Sequence, residues 1–310
     1  MKRTLLLPAA LLVSATLALA GCSATDAAGS SAGEPSTSGD PISVVASTNV
    51  YGDIAKQLGG DHVKVVSIID NPDKDPHEYQ ADPRNQLELS KARVVIMNGA
   101  GYDDFMTTML SAAKNDKASV LNAADISGYD QNPSKGEFNE HLWYDFPTVH
   151  KVADRLVAAL AKADPADKAA FQKNGAAFNA KLDSLTTTEA DLKAKDAGKG
   201  AAITEPVPLY MLDAIGLVNR TPEKFSEAIE NDSDVAPSVL RDTLALFSGK
   251  KVAVLAYNEQ TTGPQTEAVL KAAKSAGIPV VPVTETMPTG DHYVGWMTAN
   301  LKAIGDALAR

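Results

Sequence analysis

Four side chains of this chain are of the types that hold transition metals, and each falls where a strand pattern ends or a helix pattern begins: His77, His141, Glu205 and Glu285. His77 lies in Asn71-Pro72-Asp73-Lys74-Asp75-Pro76-His77-Glu78-Tyr79-Gln80, a proline-punctuated loop just past the β-branched run of residues 63–69. Open α/β sheets bind ligands beyond the carboxyl ends of their strands, and neutral imidazole is the commonest transition-metal ligand. Taken alone, His77 fits equally well a loop histidine bonded to water. The set is more telling. Two imidazoles and two carboxylates carry a charge that one divalent cation neutralises. Nitrogen donors turn the expectation away from calcium and magnesium, which take oxygen shells, and towards zinc, manganese or iron.

Such donors need a framework. Residues 42–48, 63–69, 93–99 and 118–121 read as strands, with helical patterns over 50–58, 84–91 and 102–113 between them. This alternation predicts a parallel sheet with right-handed crossovers. Residues 125–140 are polar, hold Gly and Pro and lack a period, which predicts a loop running into His141. Residues 146–163 carry an amphipathic stripe with Pro147 in the first turn. Asp164-Pro165 restarts a pattern that no proline interrupts to about residue 195. This predicts one helix of about 30 residues and about 45 Å, or two shorter helices meeting at Gly175. A second alternating region follows, with strands at 198–203, 251–256 and 278–283 and helices at 208–217, 237–247, 265–276 and 291–309. Glu205 and Glu285 fall in the loops after two of those strands.

At the start, Met1-Lys2-Arg3 is basic, residues 5–18 are apolar, and Leu19-Ala20-Gly21 precedes Cys22, the single cysteine among 310 residues. This resembles a bacterial lipobox, which predicts a signal peptide over residues 1–21 and a lipid on Cys22. Residues 22–40, rich in Ser, Ala, Gly, Thr and Pro, predict a flexible tether. No later apolar run approaches the roughly 20 residues a membrane span needs. Of 29 Lys and Arg residues two lie in the leader, so the mature chain sets 27 basic against 39 acidic residues, a formal charge of −12. That balance argues against a nucleic-acid partner and suits a cation.

Several short motifs in order carry a resemblance: Val45-Ala46-Ser47-Thr48 with Tyr51-Gly52-Asp53-Ile54, Gly59-Gly60-Asp61, Asp75-Pro76-His77-Glu78-Tyr79, Asn98-Gly99, Glu140-His141-Leu142-Trp143-Tyr144-Asp145, and Trp296-Met297-Thr298-Ala299-Asn300-Leu301. Through them the chain resembles the metal-binding substrate-binding lipoproteins of zinc/manganese ABC importers, the TroA-like solute-binding family 9. The resemblance implies an α/β fold of two lobes, each a parallel sheet flanked by helices, joined by one long rigid helix. On this sequence the lobes would be residues 41–164 and 197–310, and the linking helix 165–196. It also implies a monomeric, extracytoplasmic, lipid-anchored protein that is no enzyme. Such a protein holds one zinc or manganese ion between its lobes and hands it to an ABC permease. Carried over residue by residue, His77 and His141 match the first two ligand positions. Glu205 matches the third, a histidine in many zinc importers and a glutamate in many manganese ones. Glu285 stands where the family often has an aspartate. The segment before His141 lacks the His-rich or acidic run of many zinc-specific members, and their paired cysteines are absent, which leans towards manganese or mixed use.

Two rival readings remain at this stage. A metal-dependent hydrolase would need an open coordination position, and the sequence has no His-Glu-x-x-His helix and no nucleophile elbow. A surface adhesin with a structural metal would bind a host partner without regard to metal loading. Of the other histidines, His62 and His150 read as solvated surface groups, and His292 lies near Glu285 beside Asp291, which is expected to cap the last helix.

Overall fold

The structure, a computed structural model, describes residues 39–71, 79 and 82–310. His77, Cys22 and the whole leader therefore lie outside the described residues. The first half runs β1 (Ile42–Thr48), α1 (Asn49–Gly59), β2 (Val63–Ile69), α2 (Pro83–Lys91), β3 (Val94–Met97), α3 (Asp104–Ala113), β4 (Ser119–Asn122), α4 (Ala123–Ser127) and α5 (Phe146–Ala163). Then comes α6 (Lys168–Asp196). The second half runs β5 (Gly200–Ile203), α7 (Leu209–Ala214), β6 (Val218–Asn219), α8 (Glu223–Glu230), α9 (Pro237–Ser248), β7 (Val254–Asn258), α10 (Pro264–Ala276), β8 (Val280–Val283) and α11 (Tyr293–Leu308).

Among the described residues eight strands pair in parallel, in two sheets of matching order, β2-β1-β3-β4 and β6-β5-β7-β8. The expected α/β class and the linking helix are both observed. Alternation along the strands explains how the lobes join. Val44, Ala46, Val94 and Ile96 of the first sheet and Ala201, Ile203, Val254 and Ala256 of the second all face one continuous core. Their neighbours in sequence point the other way. Val45, Val95 and Met97 pack on α2 and α3 through Leu89, Met106 and Met109, while Ala202, Leu255 and Tyr257 pack with Phe225, Phe247 and Val269 of α8, α9 and α10. Each sheet thus has a private core on its outer face and shares the inner one.

The shared core is filled by α1, α5, α6 and α11. Along α6 the buried residues are Phe171, Gly175, Phe178, Leu182, Leu185 and Glu189. They alternate in steps of four and three, which keeps one stripe on one face over about 27 Å. Gly175 does not break the helix. A Cβ there would meet Val157 Cγ2 at 2.7 Å, so the glycine lets α5 and α6 approach closely. The helix begins at Lys168, three residues after Pro165, because Asp164 closes a turn onto the Ala166 N–H and Asp167 is drawn to His62 Nδ1 at 2.7 Å. His62 is accordingly mostly buried against Phe171 and is no solvated group. Around α6, Tyr144 meets Trp296 at 5.7 Å and Phe178 meets Tyr293 at 6.1 Å, joining first-half to second-half aromatics. Fully buried aromatic side chains contribute about 1.5–3 kcal/mol each, so prising the halves apart is costly.

One member of the α6 stripe is charged. Glu189 is 4 % exposed. Burial, with the charge of Asp145 adding to it, pushes its carboxyl from 4.5 up to about 8. Between those values the folded chain holds a proton that the unfolded chain has released, so stability falls as pH rises through that window and levels off above it. Replacing Glu189 by Gln is expected to stabilise the protein by on the order of 1–3 kcal/mol at pH 8.5 and to make little difference at pH 4.5. Urea unfolding of both proteins at the two pH values checks this, and equal shifts at both would contradict it.

Candidate metal centre

Of the four expected donors, three fall among the described residues, two of them just past the carboxyl ends of strands. Glu205 follows β5 and Glu285 follows β8, while His141 ends the long loop after α4. All three are buried: His141 is 0 %, Glu205 3 % and Glu285 5 % exposed. β5 and β7 lie at the centre of their sheet, where crossovers leave in opposite directions and a crevice opens. Asn258, the last residue of β7, fills that point.

Asn258 joins the two carboxylates. Its side-chain amide donates to Glu205 Oε2, and to Glu285 Oε1 at 2.9 Å. Its backbone N–H donates to Thr204 Oγ1 at 2.9 Å, which locks the two loops in register. Behind Glu285, the side-chain Oε1 of Gln260 accepts from the backbone N–H groups of Glu285 and Thr286 at 2.6 and 3.2 Å. Two carboxylates with little access to water are thus held side by side by one neutral amide.

His141 is positioned from both halves. Asn98 Nδ2 donates to the Glu140 carbonyl at 2.9 Å, and Asn98 itself is gripped by Tyr51, whose hydroxyl donates to its Oδ1 at 2.5 Å. Asp103, buried and pushed up by that burial, accepts from the Asn98 and Gly99 N–H groups at 2.6 and 2.8 Å, which lower it again in part. Asn139 spans to the other half, its amide donating to the Pro206 carbonyl at 3.2 Å. That bond fixes its orientation, so Asn139 Oδ1 is the acceptor, 3.2 Å from His141 N and 2.8 Å from His141 Nδ1. Nδ1 therefore carries a proton, so in the neutral ring that a metal ligand requires it is Nε2 that presents the lone pair. The rings of Tyr102 and Trp143 enclose the imidazole at 6.1 and 5.2 Å. Burial pushes the Tyr102 hydroxyl well up, and the nearby charges of Glu285, Asp103, Tyr51 and Glu230 add to that.

Among the described residues, His141 Nε2 has no hydrogen-bond partner. It faces Glu230 Oε1, at 3.5 Å, a residue the sequence reading did not single out. Glu230 ends α8, a helix that was not expected because only Phe225, Ser226 and Ile229 are buried in a charged segment. Among the described residues no three His, Cys, Asp or Glu side chains stand close enough to hold an ion unaided. The described donors instead form two pairs, Glu205 with Glu285 and His141 with Glu230. A buried imidazole lone pair and clustered carboxylates fit a divalent cation.

The remaining histidines are committed elsewhere. His292 Nδ1 lies 2.7 Å from Asp53 Oδ1, and the other oxygen of Asp53 accepts from Tyr293 N at 2.8 Å. Asp53, not Asp291, thereby caps α11. His150 is part-exposed, 3.5 Å from Asp154 on its own helix.

Comparison with known proteins agrees with this architecture. Residues 44–307 match the model of the family described as ZnuA, zinc-uptake complex component A, periplasmic. The manganese ABC transporter substrate-binding lipoprotein scaA of Streptococcus gordonii is 24% identical over 97% of each chain. The iron ABC transporter substrate-binding lipoprotein MtsA of Streptococcus pyogenes is 25% identical over 91% of this chain and 93% of its own. Among solved structures, the periplasmic zinc binding protein TroA of Treponema pallidum superposes with a TM-score of 0.72 at 21% identity, covering 88% of this chain and all of its own.

The Asn258 bridge yields a prediction that does not depend on which cation is bound. In Asn258→Asp a third carboxylate replaces the donor, so the metal-stripped variant is expected to lose on the order of 2 kcal/mol of stability at neutral pH. Thermal unfolding at pH 7 and pH 4.5 measures it, and the loss should shrink at the lower pH as the carboxylates protonate. A variant as stable as the wild type at pH 7 would show that Asn258 does not hold the carboxylates together.

Proposed function

We propose, from the premise that the chain belongs to the ZnuA family of periplasmic zinc-uptake components, that it is the solute-binding subunit of an ABC importer for a divalent transition metal, zinc or manganese. One ion is captured between the lobes and passed to a membrane permease. The chain works as a monomer outside the cytoplasm, tethered by lipid on Cys22. In this reading the ligands are His77, His141, Glu205 and Glu285. The observation that carries it is the buried Nε2 lone pair of His141, aimed at carboxylate and without a hydrogen-bond donor.

The chemistry is capture and release. Asn139 holds the His141 tautomer that ligates, and Asn258 ties Glu205 and Glu285 to one side-chain amide. Burial removes competing water and makes each donor a stronger partner for the ion. The continuous core around α6 limits how far the lobes part, so release proceeds by movement of loops and side chains around a fixed frame. Manganese and iron, like zinc, suit a mixed imidazole and carboxylate set, and in a test tube zinc should outcompete manganese whatever the cell supplies.

Calorimetric titration of metal-stripped protein with Mn2+ or Zn2+ is expected to show one tight site per chain. His141→Ala should weaken it by 100-fold or more, whereas His62→Ala, which removes contacts with Asp167 and Phe171, should leave it nearly unchanged. Two equal sites, or a large loss from His62→Ala alone, would overturn the assignment.

A further inference from the structure

Resting on the reading of a metal capture site, we propose that Glu230 is itself a metal ligand, sharing one ion with His141. The argument starts from the tautomer. With Nδ1–H donated to Asn139 Oδ1, the Nε2 of His141 and the Glu230 carboxylate are both acceptors, yet they face each other at 3.5 Å in a site where His141 has no exposure to water. With the imidazole neutral, as a metal ligand must be, the two present a pair of donors that one cation can share. The spacing fits one. Donors bound to a common ion at about 2.0–2.2 Å, with angles from octahedral to tetrahedral, stand about 3.0–3.6 Å apart. A direct charge-assisted N–H···O bond would instead be about 2.7–2.9 Å.

Glu230 also opens the site to an acidic cavity of about 410 Å³. Glu137, Glu140, Glu223 and Glu227 line it with Glu230, together with asparagines and, among the described residues, no lysine or arginine. Burial and the charges of Glu223 and Glu137 raise the Glu227 carboxyl, as expected where like charges are crowded. A divalent cation drawn into this cavity meets Glu230 on the way to His141. With Glu230 the described donors are one imidazole and three carboxylates, an oxygen-rich set that suits manganese or iron.

The test compares metal-stripped wild type with Glu230→Gln, Glu230→Ala and His141→Ala. Each is titrated with Mn2+ by calorimetry, and the visible absorption of each Co2+ complex is recorded. If Glu230 ligates, both Glu230 variants bind Mn2+ at least tenfold more weakly, and their Co2+ bands change in position or intensity. Glu230→Gln should also raise the melting temperature of the metal-free protein, because its amide can donate to His141 Nε2. Unchanged affinity, or weaker affinity with an unchanged Co2+ spectrum, would overturn the ligand assignment. If His141→Ala loses binding in that case, the capture reading stands without Glu230. If His141→Ala binds Mn2+ like the wild type, the capture reading itself fails.

Discussion

Burying an imidazole and several carboxylates together is the constraint on which the rest of this molecule depends. His141 offers a lone pair, and Glu205, Glu285 and Glu230 offer carboxylates, in a region sealed by Tyr102, Trp143 and the strand ends. Carboxylates taken from water repel one another and resist ionisation unless a cation is supplied. The single donor seen joining two of them is the neutral amide of Asn258, which aligns Glu205 and Glu285 without cancelling their charge. A divalent ion does both.

A site of this kind works only if its walls do not relax to relieve the repulsion. The shared core prevents that, since the inner faces of both sheets and α1, α5, α6 and α11 bury one apolar mass. Polar ties then carry the rigidity of the core to the loops. The Tyr144 hydroxyl donates to the Thr284 carbonyl at 2.9 Å, beside Glu285, and the Tyr210 hydroxyl donates to the Asn139 carbonyl at 2.8 Å. Asn49 exchanges two bonds with Met287 across the halves, at 2.7 and 3.1 Å. Each loop with a described donor is therefore held from both lobes, which explains why a single long helix suffices as a link.

Much of this was legible in the sequence where one physical signal dominated. Strands β1 and β2 and helix α5 fall on the expected residues, because uninterrupted β-branched runs and a clean apolar stripe leave little alternative. Strand β7 starts at Val254, not Lys251, since pairing begins only where Ala201 is opposite. Helix α8 was hidden because its buried face is short, and Glu230 was hidden with it. The stretch read as loop from residue 125 opens inside a short helix, capped by the Asn122 side chain accepting from Asp125 N at 3.2 Å. The cap of α11 was unreadable for a different reason: it comes from Asp53, some 240 residues away. Local patterns report local partners, whereas His62 with Asp167 and Asn258 with the two glutamates are long-range pairs that only the fold brings together.

The central claim is that one cation sits where these acceptors converge. Crystals of the protein loaded with Mn2+, measured at the manganese absorption edge, locate it directly. The account predicts a single anomalous peak per chain, about 2.0–2.3 Å from His141 Nε2 and from carboxylate oxygens of Glu205 and Glu285. A peak elsewhere, or one that leaves His141 Nε2 without the ion, would contradict it.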